Sequence, residues 1–106
     1  MIKGAMYWQR LRLEIKGHAN FDEKGKDIVC AGASMITGAL MGVLEDAKAR
    51  GRTQFDWKQD GADLQIWADP NMGSMNEIKS YFRMAVKGMR MLAEEYPKYV
   101  EMKEVR

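Results

Sequence analysis

The chain contains one histidine and one cysteine, His18 and Cys30, and both lie in its first third. A thiolate is a strong nucleophile towards a carbonyl carbon, and an imidazole can take the thiol proton and return it to a leaving amine. Together the two residue types are suited to hydrolysis, in which an acyl group is transferred to the thiol and then to water. A free cysteine taken alone is more often a small buried side chain, so it is the nearby histidine that favours a reactive thiol.

The predicted secondary structure places these two side chains at opposite ends of one loop. Residues 9–16 alternate between apolar and polar, which predicts a half-buried strand. Asp27 is a suitable N-cap, and the apolar residues after it predict a largely buried helix over 28–49. His18 then follows a strand, and Cys30 lies in the first turn of a helix. There the free amides and the helix dipole favour a thiolate, and the same amides could hold an oxyanion.

The rest of the sequence predicts a hairpin, a second helix and a final strand. Residues 60–62 contain the glycine that a tight hairpin turn requires. Ser74 and Glu77 have the spacing of a capping box at the start of an amphipathic helix. The order strand-helix-hairpin-helix-strand predicts one α/β domain of the α+β type over residues 1–106. Its two helices would pack on a small mixed or antiparallel sheet.

Composition predicts a soluble, cytoplasmic domain. The net charge is +2, and lysines and arginines are interspersed with acids, so we expect no direct nucleic-acid binding. We also expect no signal peptide and no apolar stretch of about 20 residues able to cross a membrane. One cysteine and one histidine are too few for a closed zinc site, and there is no C-x-x-C pair. Neither a metal nor a cofactor is therefore expected.

Residues around the predicted pair allow more than one interpretation. The Ser34 hydroxyl, one helical turn after Cys30, could bond the thiolate or a substrate, or only the Cys30 carbonyl. Asp27 could orient His18 as the third member of a triad, or only cap the helix. Glycines inside the helix cost about 1 kcal/mol each relative to alanine, so they indicate close packing against the sheet or a dimer partner. They are Gly32, Gly38 and Gly42.

Two short motifs resemble a known family. G-H-A at 17–19 is followed by a short loop and by G-K-D-I-V-C-A-G-A-S at 25–34, and this combination is similar to the ribosomal-processing cysteine protease family, Prp. The resemblance is close over residues 11–40, whereas the second half matches only in its order of elements. It implies that His18 is the base and Cys30 the nucleophile of a cysteine endopeptidase.

The resemblance also implies a substrate and an assembly. The enzyme would be a homodimer that removes the N-terminal extension of a large-subunit ribosomal protein after a Phe-Phe pair. Residues 20–26 would form a mobile lid over the substrate, with a turn at Gly25 and with Phe21 packed in the lid or against the substrate. Two alternatives stay open. The substrate could be a phage capsid or scaffold protein, or the chain could be a non-catalytic ribosome- or RNA-associated module.

Overall fold

The computed structural model describes residues 1–23 and 25–106, and it consists of two helices packed on a five-stranded mixed sheet. In chain order the elements are β1 (Ile2–Tyr7), a short 3₁₀ helix (Trp8–Arg10), β2 (Arg12–Lys16), α1 (Ile28–Ala49), β3 (Thr53–Asp60), β4 (Asp63–Pro70), α2 (Met75–Glu95) and β5 (Val100–Val105). The strand order is β3-β4-β2-β1-β5; β1 and β5 pair in parallel, and the other three neighbouring pairs are antiparallel. The predicted α+β class is confirmed.

Strand β1 is an element that the predicted order did not contain. It lies between β2 and β5, and residues 4–6 are all buried, so its sequence shows none of the alternation that marks a half-buried strand. The strand predicted over 9–16 starts only at Arg12. The preceding residues form the 3₁₀ helix, and Leu11 has a left-handed φ of 43°.

Helix α1 has the predicted bounds, but less of it is buried than predicted. One face packs into the core through Val29, Ala33, Thr37, Leu40, Leu44 and Ala47. Much of the remaining surface is exposed, because only one side of the helix meets the sheet. Contrary to the expectation from sequence, α1 is long and apolar enough to cross a membrane by length and composition alone. Core helices satisfy the same criterion, and this one lies against the sheet and α2.

The glycines of α1 do not all have the predicted environment. Gly38 and Gly42 are exposed, and a Cβ added at either would meet nothing within 4 Å among the described residues. The interpretation that they pack on the sheet is therefore wrong. A Cβ at Gly32 would lie 3.3 Å from the side chain of Leu92, so this glycine permits close contact between the two helices.

Helix α2 starts where the sequence predicts, but not through a capping box. Ser74 is buried, and its side chain makes no capping hydrogen bond to any described residue. The Glu77 carboxylate instead accepts hydrogen bonds from Arg50 at 2.7 Å and from Tyr81 at 2.5 Å. The Tyr81 hydroxyl and the Arg50 guanidinium lower the pKa of Glu77. This contact ties the start of α2 to the end of α1.

The sheet register defines two ends of the molecule. Lys3, near the start of β1, is paired with Lys16 at the end of β2 and with Glu101 near the start of β5. The loop that contains His18 therefore leaves the sheet at the end where β1 and β5 begin. Tyr7 and Val105 mark the opposite end.

Candidate active site

The turn that carries His18 depends on the glycine before it. Gly17 has a φ of 86°, and a Cβ on it would lie 2.5 Å from the carbonyl oxygen of Met1. Its amide donates a hydrogen bond of 3.1 Å to Oδ1 of Asp63. This geometry directs the chain off the strand and leaves His18 exposed at the rim of a groove.

Asp27 caps α1, as predicted. Its Oδ1 accepts hydrogen bonds from the amides of Val29 at 3.0 Å and Cys30 at 2.9 Å. Both amides are therefore occupied, and the prediction that these helical amides hold an oxyanion has no support in this arrangement.

The same carboxylate also holds the loop before the helix. Oδ2 of Asp27 accepts a hydrogen bond of 3.0 Å from the Phe21 amide. The amide bonds, that of Cys30 foremost, lower the pKa of Asp27. Among the described residues no hydrogen bond joins Asp27 to His18, so the structure shows a cap and a loop anchor but no contact that would orient the imidazole.

The sulfur of Cys30 meets the loop that follows β2. The Ala19 amide donates a hydrogen bond of 3.4 Å to Cys30 Sγ, and Ala19 itself is buried. Because Ala19 follows His18 directly, the loop folds back on the helix as predicted. This hydrogen bond fixes the position of the sulfur relative to the loop. Cys30 is partly exposed, so a substrate can reach it.

Cys30 opens into a groove of about 360 Å³ that His18 and Ser34 also line. The Ser34 hydroxyl makes no hydrogen bond to the Cys30 carbonyl in the described structure, so it faces the groove without that local partner. Thr37 and Met41 continue the same wall at helical spacing. That spacing could have identified both from sequence, although the sequence analysis did not name them.

The opposite wall of the groove comes from the β3–β4 hairpin. Gln59 near the end of β3 and Gly61 and Ala62 of the turn line the groove, as do Ile2, Ile15 and Leu64 from the strands. No local pattern in the sequence connects the hairpin turn with Cys30, because the strands between them bring the two together. This wall therefore could not be predicted from the sequence.

The two residues predicted for the lid lie outside the lining of the groove. The Phe21 ring packs edge-on against Tyr96, with centroids 5.4 Å apart, and against Tyr99 at 5.1 Å. Gly25 is exposed and has a φ of 91°, which suits the predicted turn. Lys24, within the predicted lid, lies outside the described residues.

The groove has the groups of a thiol hydrolase. It combines a partly exposed cysteine whose sulfur accepts an amide hydrogen bond with a histidine and a serine at the same opening. In the described part of the chain no three His, Cys, Asp or Glu side chains are grouped so that they could hold a metal ion. These are side chains that a cysteine hydrolase requires.

Comparison with known proteins identifies the family. Residues 1–101 match the family described as cysteine protease Prp, and the chain belongs to that family. It is therefore a cysteine peptidase. No curated protein matches the chain. Family membership decides against the alternative of a non-catalytic module.

Several solved structures share the fold. The S. aureus ribosomal processing protease Prp with a covalently linked product peptide has a TM-score of 0.80 and 22% identity, covering 99% of this chain and 100% of that one. The same S. aureus protein with a substrate peptide has a TM-score of 0.72 and 21% identity, with coverage of 99% and 100%. SMU.848 from Streptococcus mutans has a TM-score of 0.67 and 21% identity, with coverage of 98% and 91%.

The cap at Asp27 leads to a testable pH dependence. Asp27→Ala should lower both the Tm and the cleavage rate, because α1 loses its cap and the loop loses its anchor. Asp27→Asn retains a capping oxygen and should stay closer to wild type at pH 7. The amides lower the pKa of the Asp27 carboxyl below its ordinary value of 3.8. The carboxylate therefore contributes fully to the stability of the folded protein above pH 3.8, and this contribution is lost as the pH falls through the lowered pKa.

Thermal melts from pH 7 down to pH 3 check this prediction. The wild type should lose Tm at the acid end more steeply than Asp27→Asn does. An Asp27→Ala variant with the wild-type Tm and cleavage rate throughout would show that neither the cap nor the anchor matters.

Proposed function

We propose that the chain is an endopeptidase in which Cys30 is the nucleophile and His18 the general base. Its substrate would be the N-terminal extension of a large-subunit ribosomal protein, cut after a Phe-Phe pair in the bacterial cytoplasm. The observation that carries the proposal is the single groove shared by His18, Cys30 and Ser34. In this mechanism the thiolate attacks the carbonyl carbon, His18 protonates the leaving amine, and water then hydrolyses the thioester.

The groove supports an aromatic substrate. Ile15, Met41 and Leu64 are apolar side chains in the lining of the groove, and burial of a Phe side chain against them would be favourable by about 1.5–3 kcal/mol. Ser34 and Gln59 add polar groups that can bond a peptide backbone. The S. aureus structures described as ribosomal processing proteases contain peptides, which supports a peptide ligand for the shared fold.

Peptide cleavage tests the proposed specificity. A peptide with Phe-Phe before a small residue should be cut after the second Phe, as read by mass spectrometry. The matched peptide with Ala-Ala in place of Phe-Phe should be cut at least about tenfold more slowly, since the aromatic burial is lost. Equal cleavage of the two peptides would show that the enzyme does not recognise Phe-Phe. It would not contradict the assignment of the chain as a peptidase.

The aromatic contact of Phe21 supports the proposed lid. Phe21 is held at its amide by Asp27 and at its ring by Tyr96 and Tyr99, which lie between α2 and β5. Each edge-to-face contact is worth about 0.5–1.5 kcal/mol beyond simple burial. These contacts would hold the described part of residues 20–26 beside the groove and limit how often it opens.

Phe21→Ala should therefore raise KM for the Phe-Phe peptide about three- to tenfold, with a smaller effect on kcat. Trypsin should also cut faster after Lys26, an exposed residue of the same loop. Trp57→Ala is a matched control, because Trp57 is an exposed aromatic residue on β3. If Phe21→Ala keeps the wild-type KM and trypsin rate, the aromatic contact does not restrain the lid.

We also propose that a second copy of the chain covers an apolar face made by α1 and α2. The helices leave an apolar groove of about 660 Å³ between them. Met35 and Met84 on its rim are 74% and 75% exposed. The exposed Gly38 and Gly42 of α1 would let a second helix approach closely. The homodimer implied by the family resemblance would bury this surface and account for the apolar exposure.

Met35→Glu combined with Met84→Glu should convert the dimer to a 12.2 kDa monomer in sedimentation experiments at micromolar concentration. The charges would be desolvated in the interface without partners, which is strongly unfavourable. Met72→Glu is the matched control, because Met72 is fully exposed in the loop before α2. A monomeric wild type, or a dimer that survives the double substitution, would contradict this interface.

A further inference from the structure

Five cationic side chains converge on one groove far from the thiol. Four of them follow one another along α2, and the fifth ends the chain after β5. They are Lys79, Arg83, Lys87, Arg90 and Arg106. Together with Trp8 and Glu104 they line a concave surface of about 410 Å³, which we call the basic groove. One carboxylate therefore faces five cations, although the net charge of the whole chain is only +2.

A hydrogen-bonded centre organises one side of the basic groove. Glu104 accepts hydrogen bonds from Trp8 Nε1 at 2.8 Å and from Arg90 Nε at 3.0 Å. It also contacts Arg106 at 3.4 Å, and the Arg106 guanidinium lies over the Trp8 ring, 5.5 Å from its centroid. These contacts hold the guanidinium groups of Arg90 and Arg106 in fixed positions, and N–H donors of both groups remain available to a ligand.

The other side of the basic groove carries unpaired positive charge. Among the described residues, Lys79, Arg83 and Lys87 have no carboxylate within the 4.0 Å of an ion pair. They recur at intervals of four residues along α2, so they share one face of the helix. Three cations on one face without acidic partners produce a local positive field that a bound anion would neutralise.

We propose that the basic groove binds the phosphate backbone of RNA. A row of lysines and arginines matches a chain of phosphates, and arginine can bond phosphate oxygens in pairs. The concave shape favours a strand lying along it over a flat layer of lipid headgroups. DNA offers the same phosphate chemistry, and the choice of RNA rests on the proposed ribosomal substrate, whose surroundings are RNA.

The position of the basic groove separates it from the peptidase site. Trp8 and Arg106 follow the ends of β1 and β5, whereas His18 leaves the sheet at the end where these strands begin. A strand of this length spans roughly 20 Å. Substitutions in the basic groove should therefore leave cleavage of a short peptide unchanged, which makes failure of the RNA proposal distinguishable from failure of the proposed function.

Two triple variants that remove the same charge test the proposal. The groove variant is Lys79→Gln, Arg83→Gln and Lys87→Gln. The control variant is Lys3→Gln, Lys16→Gln and Lys103→Gln, three lysines that lie on another surface of the sheet beside Glu14 and Glu101. Fluorescence anisotropy with a 16-nucleotide single-stranded RNA, titrated from about 50 to 200 mM salt, measures affinity and its salt dependence.

The wild type should bind the RNA with an affinity that falls steeply with salt. The groove variant should lose at least about tenfold in affinity, and the slope of log K against log salt should fall by about 2, since each lost phosphate contact removes roughly 0.7. The control variant should change affinity by less than about threefold. Both variants should cleave the Phe-Phe peptide at the wild-type rate.

Several results would overturn the proposal. They are an absence of RNA binding at 50 mM salt, equal losses in the two variants, tighter binding to a DNA duplex than to RNA, or binding only to vesicles of anionic lipid. Binding to RNA at least as tight as to the duplex, with the loss confined to the groove variant, supports it.

Discussion

Replacing Cys30 with alanine should reduce cleavage of the Phe-Phe peptide by at least about a thousandfold. The thiolate forms the covalent bond in the proposed reaction, and loss of the nucleophile in hydrolases of this kind leaves only the contribution of binding and orientation. Because Cys30 is small and only partly buried, the variant should fold with a Tm within a few degrees of wild type.

The serine replacement sharpens this experiment. Cys30→Ser keeps an acceptor for the Ala19 amide, yet an alcohol at this position has no comparable population of its anionic form at neutral pH. It should therefore be nearly as inactive as Cys30→Ala. Substantial cleavage by the folded Cys30→Ala variant would exclude Cys30 as the nucleophile and would point to a different group in the groove.

Replacing His18 with alanine should lower kcat/KM by about 10²- to 10⁴-fold, the usual contribution of a general base and acid. His18 is exposed, so its loss should have little effect on stability. The second measurement is alkylation of Cys30 by iodoacetamide below pH 7, which should be fast in the wild type and slow in His18→Ala. Gln54→Ala is the matched control, because Gln54 is exposed on β3 and lies outside the lining of the groove.

The two measurements on His18 separate its possible roles. Slow cleavage together with slow alkylation is the result expected for a base that activates the thiol. Slow cleavage with normal alkylation would restrict His18 to protonation of the leaving group. An unchanged cleavage rate would show that another residue acts as the base.

The predictable part of the site is the part encoded by neighbouring residues. The start of α1, the cap at Asp27 and the approach of the loop to Cys30 all follow from patterns within residues 17–34. A helix start is set by side chains a few positions away, so a short stretch of sequence suffices to predict it. The β3–β4 turn was predicted for the same reason, since a two-residue turn has strict requirements for glycine.

What the sequence could not predict depends on contacts between distant segments. Strand β1 lies inside the sheet, so its buried residues do not alternate with polar ones. Glu77 does not form the expected capping box, because its carboxylate accepts hydrogen bonds from Arg50 and Tyr81 instead. The basic groove combines α2 with residues that follow β1 and β5, whereas the linear sequence shows no run of positive charge.

The hydrogen bonds that hold the thiol in place join residues that are close together in the sequence. Ala19 and Cys30 are 11 residues apart, and Phe21 and Asp27 only 6. Closing such small rings loses little chain entropy, so this segment can assemble early in folding, before the distant strands have paired. The β3–β4 hairpin then adds its part of the groove lining, and α2 and β3 supply the surface on which α1 rests.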